Sequence, residues 1–244
     1  MKAQNNSPVT FLSWDTEFFG FRIARIQPAR LSPAEMKSAL SWCRENTIRC
    51  VYFQADAGDS ATVQLAEQNG FSLVDVRVEL EKPADAGAVS QGVTIRDAAP
   101  DDLPALKKLF AGISHFSRFA FDRRFPADAA ERLYTRWIER SLEGYADFTL
   151  VAEDDGSVAG GITGHFGDGK KTAQIGLLAV SENSRSKGLG RLLVQAFCRR
   201  AAEQGAATVD VATQGRNVAA LRFYNRNGFV VKSVLLSYHK WLES

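Results

Sequence analysis

The sequence predicts an α/β protein in two parts: a smaller N-terminal domain over residues 1–82, a linker over 83–92, and a larger domain over 93–244. Three observations predict it. Strand-type and helix-type hydrophobic patterns alternate along the chain. One small, polar stretch with glycine and proline, KPADAGAVSQG (82–92), interrupts them. The segments VYFQADAGDSATVQLAEQNGF (51–71) and VDVATQGRNVAALRFYNRNGF (209–229) align without a gap, sharing Val51/Val209, Ala61/Ala219 and a closing Asn-Gly-Phe. That repeat suggests two related halves.

The elements follow in order. FGFRIARI (19–26) reads as a strand. LSPAEMKSALSWCREN reads as a helix: Ser32 is a candidate N-cap, Pro33 suits the first helical position and Glu35 completes a capping box. Met36, Leu40 and Cys43 then share one face. IRCVYFQA (48–55) is a buried strand, a short helix runs through LAEQ, and SLVDVRVELEK is extended. After the linker come a strand, VTIRDA, and an amphipathic helix, PDDLPALKKLFAGI. SHFSRFAFDRRFP (114–126) has no clean period and reads as a loop. DAAERLYTRWIERSLEG is a second amphipathic helix. DFTLVAED and SVAGGITGHF form a hairpin around Asp155-Gly156. TAQIGLLAV (172–180) is a strand, followed by a glycine loop and the helix GLGRLLVQAFCRRAAEQG. A strand ATVDVAT, a helix over 217–227 and a strand FVVKSVLLSYHKWL complete the chain.

Composition narrows the function. The 244 residues are 45% apolar and 24% charged, ordinary values for a globular protein, and the net charge is +2. Such a chain has no strong field to recruit nucleic acid or an anionic membrane. Its apolar runs fall short of a membrane span, and MKAQNNSPVT does not look like a signal peptide, so a cytoplasmic location is expected. Cys43, Cys50 and Cys198 imply no disulfide framework. His115, His165 and His239 do not pair with them at zinc-ligand spacing, so no metal is expected.

The loop RSKGLG (185–190) carries the chemistry. A strand, a loop and a helix opening at Gly188 gather unpaired backbone N–H groups at one point, and the helix dipole adds to them. Gly188 and Gly190 remove side chains where a phosphate would approach, and Arg185, Lys187 and Arg191 add positive charge. The loop lacks the GK[ST] ending of a triphosphate loop and the GxGxxG spacing of a dinucleotide loop, so a diphosphate without a required metal fits better. A plain helix start stays open on the loop alone. Asn217 and Tyr224 follow seven residues apart, on one face of a helix and separated by a rise of roughly 10.5 Å. Taken singly, Asn217 is a simple N-cap and Tyr224 a half-buried aromatic.

Together, IGLLAV, RSKGLG and NVAALRFYNRNGF resemble the GCN5-related N-acetyltransferases. Residues 185–190 fit that family's Arg/Gln-x-x-Gly-x-Gly/Ala signature, and Asn217, Tyr224, Gly228 and Phe229 fit its second motif. The resemblance covers roughly residues 93–241. It implies a mixed, splayed sheet flanked by helices, preceded here by a smaller, incomplete acetyltransferase-like domain. It implies acetyl-CoA as donor, with its pyrophosphate on the amides of Ser186, Lys187, Gly188, Leu189, Gly190 and Arg191. Its pantetheine arm would pair with Leu178, Ala179 and Val180 and bond Asn217. The Leu178 amide would hold the thioester oxygen, and Tyr224 would act as general acid to the departing thiolate. No side chain stands out as the base for the amine: His165, nearby carboxylates or a water chain would serve, and a lone histidine on a strand reads first as structural.

A further resemblance extends to the N-terminal half. WDTEFFGFRIARI, SRF (117–119), RLYTRWIE (132–139) and VATQGRNVAALRFY (211–224) are similar to family members that act on a dTDP-linked amino sugar. This implies a nucleotide-sugar acceptor, dTDP-4-amino-4,6-dideoxy-D-galactose, used for a surface polysaccharide such as enterobacterial common antigen. In the loop 114–126, Arg118, Arg123 and Arg124 would meet the diphosphate and Phe116, Phe119 and Phe121 the sugar or base; a solvated loop with ordinary packing phenylalanines is the alternative. Another amine acceptor (a different nucleotide sugar, a polyamine, a protein N-terminus) and a non-catalytic acetyl-CoA-binding regulator remain as alternatives. A homodimer stays open.

Overall fold

The computed structural model describes residues 8–85 and 93–243. The chain divides into two compact units, neither contiguous in sequence. The first comprises Met1–Val78, Gln214–Arg216 and Ser233–Ser244, and the second Glu79–Thr213 with Asn217–Lys232. Residues 86–92, most of the expected linker, lie outside the described residues.

The first unit holds β1 (Val9–Phe11), α1 (Ser13–Phe19), β2 (Ile23–Ile26), α2 (Pro33–Glu45), β3 (Cys50–Asp56), α3 (Ser60–Gln68) and the start of β4 (Ser72–Pro83). It also takes most of β10 (Val230–Trp241), in strand order β1-β2-β3-β10-β4. β2 and β3 run parallel, while β3 and β10 are antiparallel from Leu235↔Asp56 to Trp241↔Cys50. The α2 start is as expected: Ser32 accepts from the Glu35 amide, and the Glu35 carboxylate accepts from the Ser32 amide at 2.8 Å. Phe53 stacks with Tyr238 and meets Phe71 edge-on in a core closed by Met36, Leu40 and Cys43. Each such buried side chain stabilises the fold by about 1.5–3 kcal/mol.

The second unit runs β4-β9-β8-β7-β6-β5 and holds the remaining elements. These are β5 (Ile95–Asp97), α4 (Leu103–Ala111), α5 (Arg118–Phe121), α6 (Ala129–Arg140), β6 (Phe148–Asp154) and β7 (Ser157–Phe166). β8 (Thr172–Val180), α7 (Leu189–Glu203), β9 (Thr208–Gln214) and α8 (Val218–Arg226) follow. β5 to β8 are successively antiparallel; β8 and β9 are parallel. The β6–β7 turn is the expected tight hairpin, with Asp155 at φ 51° and Gly156 at φ 73°. Leu106 and Phe110 of α4 pack with Ile138, Val151 and Ala179 on one face of the sheet. On the other face, Phe197 of α7 packs at a tilt against Phe148, ring centroids 5.0 Å apart, and Leu193 approaches Gly160.

The repeat is a repeat of structure. β3 and β9, and α3 and α8, occupy matching spans at a constant offset, and both helices end alike. Asn69 and Asn227 donate side-chain bonds to Leu65 and Phe223 carbonyls, each at 2.8 Å. Gly70 and Gly228 adopt φ 71° and 83°, and the amides of Phe71 and Phe229 reach back to the carbonyls of Ala66 and Tyr224. The Asn-Gly-Phe signature is therefore a helix-stop device used twice.

Two segments differ from expectation. Residues 13–19 form α1, stopped by Gly20 at φ 77°, so the strand expected over 19–26 is shortened to Ile23–Ile26. The segment 114–126 is not a plain loop. Ser117 caps α5, and Phe119 turns inward against Phe125 at 5.2 Å.

Candidate functional site

The site grows from one irregularity in β8. Thr172–Ile175 pair with Thr208–Val211 of β9, but the parallel ladder stops there, leaving Gly176–Val180 unpaired on that edge. On the other edge, the β7–β8 register slips between Ile162↔Leu178 and Gly164↔Ile175, so β8 bulges at Gly176 and Leu177. The Leu177 amide, which the slip removes from the ladder, donates to the buried Thr163 hydroxyl at 2.9 Å. The Ser181 amide donates to Ala159 of β7 at 2.7 Å. Amide directions alternate along an antiparallel strand, so Ala179 also faces β7 while Leu178 and Val180 face the open edge. The edge thus presents a short ladder of backbone groups beginning at Leu178.

The glycine loop lies at the end of this edge. Gly188 is the N-cap of α7 at φ 82°, and no side chain caps the helix. The amides of Leu189, Gly190 and Arg191 therefore head the helix without intrahelical partners. Ser186 is also left-handed, at φ 68°, which costs a non-glycine residue roughly 1–2 kcal/mol. A Cβ on Gly188 would meet open space, so glycine serves the backbone conformation there. A Cβ on Gly190 would lie 3.1 Å from the Phe223 ring; this glycine lets α7 approach α8.

The loop's cations are not equivalent. Lys187 bonds Asp154 at 2.6 Å, and Ser184 donates to the same carboxylate oxygen at 2.7 Å. The Lys187 ammonium, then the Ser184 hydroxyl, hold the Asp154 carboxyl below its ordinary range. Lys187 thereby ties the loop to the β6–β7 turn. Arg185 lies 3.3 Å from Glu182, both well exposed. Arg191 stands exposed on the first turn of α7. Beside the loop is a cavity of about 460 Å³, lined by Lys108, Leu109 and Ile113 from the α4 side and by Val180, Asn183 and Arg185.

Asn217 caps α8, accepting from the Ala220 amide at 3.1 Å; its side-chain NH2 remains a donor. Tyr224 is 6% exposed, wedged between Phe223 and Phe229, and burial pushes its phenol up. His165, on β7, sits opposite Gln174. Burial lowers its imidazole, while Asp147 and a bond to the Tyr145 backbone oppose that shift. Of the arginines in 114–126, Arg118 lies over the Phe119 ring at 4.6 Å and Arg124 bonds Asp122 at 3.2 Å, while Arg123 and Phe121 are exposed. Sequence reasoning did not single out Thr163, Gly176 or Asp154. A lone glycine inside a strand pattern was the available sign of the bulge.

The first unit supplies a contrast. β2 pairs with β3 in the same register as the first four residues of β8 with β9, then ends at Ile26, so the unpaired extension is missing. The α2 N-terminus is closed by the Glu35 carboxylate. Asp59 and Ala66 stand where the second half has Asn217 and Tyr224.

An open strand edge thus leads to an uncapped, glycine-led helix. The family profile described as Acetyltransferase (GNAT) family matches residues 113–229. The dTDP-fucosamine acetyltransferase of Escherichia coli O6:H1 is 31% identical over 91% of this chain and 93% of its own length. The Bacillus subtilis spore coat polysaccharide biosynthesis protein SpsD is 30% identical over 58% of this chain and 48% of its own. Among solved structures, a GCN5-related N-acetyltransferase from Sphaerobacter thermophilus superposes with a TM-score of 0.66 at 17% identity, covering 97% of this chain and 76% of that one. A tandem GNAT protein from the clavulanic acid pathway gives 0.61 at 16% identity, covering 91% and 76%. The chain belongs to the GNAT acetyltransferase family, and it is an acetyl-CoA-dependent N-acetyltransferase.

Proposed function

We propose that this enzyme moves the acetyl group of acetyl-CoA to the 4-amino group of dTDP-4-amino-4,6-dideoxy-D-galactose, supplying an N-acetylated sugar for a cell-surface polysaccharide such as enterobacterial common antigen. The observation that carries the acceptor is the 31% identity to a dTDP-fucosamine acetyltransferase, which spans both halves of the chain. The donor rests on the site. The amides of residues 186–191 hold the pyrophosphate at the α7 N-terminus, with Arg185 and Arg191 as exposed cations beside it. The Leu178–Val180 edge pairs with the pantetheine arm, the Asn217 NH2 donates to it, and the cavity beside α4 admits it.

The chain's own groups then act on the thioester. The Leu178 amide donates to its oxygen, where negative charge grows as the amine attacks. Tyr224, neutral because its phenol is pushed up, donates to the departing sulfur. Exposed Arg123 and Phe121 are the acceptor-side candidates from 114–126, because Phe119 is spent in the core. The first unit, lacking the strand extension and the open helix end, binds no second acetyl-CoA in this scheme. The site uses no metal, and the protein works in the cytoplasm.

The test is thiol release from acetyl-CoA with the galacto sugar and, in parallel, its gluco epimer. Fast release with the galacto sugar alone is expected. Acetyl-CoA binding without release from either would discard this acceptor, and a panel of other amines would follow.

A further inference from the structure

We propose that His165 is the base that takes the proton from the acceptor ammonium. The inference rests on acetyl transfer to an amine and not on which amine it is.

The geometry comes from the bulge. A Cβ built on Gly176 would lie 3.1 Å from His165 Nε2 and 2.8 Å from Thr163 Oγ1. The imidazole therefore lies across the backbone of Gly176, on a spot that any other residue would fill. Gly176 begins the unpaired edge, two residues before the Leu178 amide, or about 6–7 Å along the strand. That gap suits a reacting amine between a base and a thioester carbonyl held at Leu178.

The surroundings keep the ring both neutral and aimed. His165 is half-buried, which disfavours its charged form. One ring nitrogen bonds the Tyr145 backbone, and the Tyr145 ring meets the imidazole edge-on at 5.1 Å. The charged neighbour is Asp147, whose carboxylate is fixed by the Phe166 amide at 2.7 Å. Glu143, on the same turn as Tyr145, turns toward Arg136 and Arg140, and β8 presents only uncharged Gln174 and Gly176.

The step balances. His165 accepts one proton from the ammonium and later releases it to water. The neutral amine forms the C–N bond and the C–S bond breaks. The proton that Tyr224 gives the sulfur is replaced by the second proton lost from nitrogen. The net yield is amide, CoA thiol and one proton.

Two measurements test this. The first needs no acceptor: the His165 imidazole is followed by NMR through a pH titration, with and without acetyl-CoA. A midpoint below the ordinary histidine value, and a change in the ring signals on adding acetyl-CoA, are expected. A ring blind to acetyl-CoA, or charged at neutral pH, overturns the proposal even if both sugars fail as acceptors. The second is the pH profile of kcat/KM with the amine that turns over, for wild type, His165→Gln and Asp147→Asn. Wild type should lose activity as pH falls through the imidazole midpoint. His165→Gln should be about 10²-fold slower or more, with that inflexion gone and the KM for acetyl-CoA unchanged. Asp147→Asn should move the inflexion to lower pH. A His165→Gln profile of unchanged shape would mean a structural role only.

Discussion

At the scale of the residue, four side chains carry the sharpest expectations. Tyr224→Phe should reduce turnover by about 10²–10⁴-fold and leave acetyl-CoA affinity intact, because the ring still fills its slot between Phe223 and Phe229. Steady-state kinetics with equilibrium binding would check it; unchanged turnover removes Tyr224 from the acid role. Because burial raises that phenol, its ionisation should set no alkaline limb below pH 10. Thr163→Val leaves the Leu177 amide without its acceptor. That should cost about 1–3 kcal/mol in chemical denaturation, and activity should fall with it because the bulge aims Leu178 outward. The thiols of Cys43 and Cys198, pushed by burial to about 12 and about 11, should resist a thiol reagent until the protein unfolds.

At the scale of the element, the loop before α7 matters more than any one of its cations. Asp154→Asn removes the charge that holds Lys187 and keeps only a weaker acceptor for Ser184. Acetyl-CoA affinity should drop several-fold, measured by calorimetry, while the midpoint of thermal unfolding moves little, because exposed pairs contribute little. The Asp154 carboxyl lies below its ordinary value when folded, so the tether is complete at neutral pH and is lost as pH falls through that lowered value. Affinity should therefore be insensitive to this pair between pH 6 and 8. Gly190→Val should weaken donor binding by a different route, by pressing α7 away from Phe223.

At the scale of the whole molecule, the two halves are copies of one strand–helix–strand plan with unequal endings. The second copy extends its strand past the paired residues and leaves its helix uncapped; the first stops the strand and closes the helix with Glu35. The C-terminal strand also serves the first unit, pairing Leu235–Trp241 with Cys50–Asp56 and burying Tyr238 and His239. A chain of residues 79–244 should therefore not fold as a soluble domain, since those strand residues lose their partner. Soluble expression with a cooperative melt like that of the full chain would sink this expectation.

What the sequence by itself determined is what depends on neighbours within a turn or two. The capping box at Ser32, the Asp155-Gly156 hairpin, the Asn-Gly-Phe helix stops and the glycine-led start of α7 are all short-range hydrogen-bonding or φ requirements, and each is legible in a few letters. The loop proposed to hold the donor was legible for the same reason. α5 carried a readable sign too, the cap at Ser117, but its aromatic residues masked the period. The tertiary structure decided the rest. Whether β8 stays paired with β9, where its register slips against β7, which carboxylate claims Lys187 and which ring lies over Gly176 all join residues 11 to 36 positions apart. Long-range register follows from packing the whole sheet between its helices, and no local pattern encodes it.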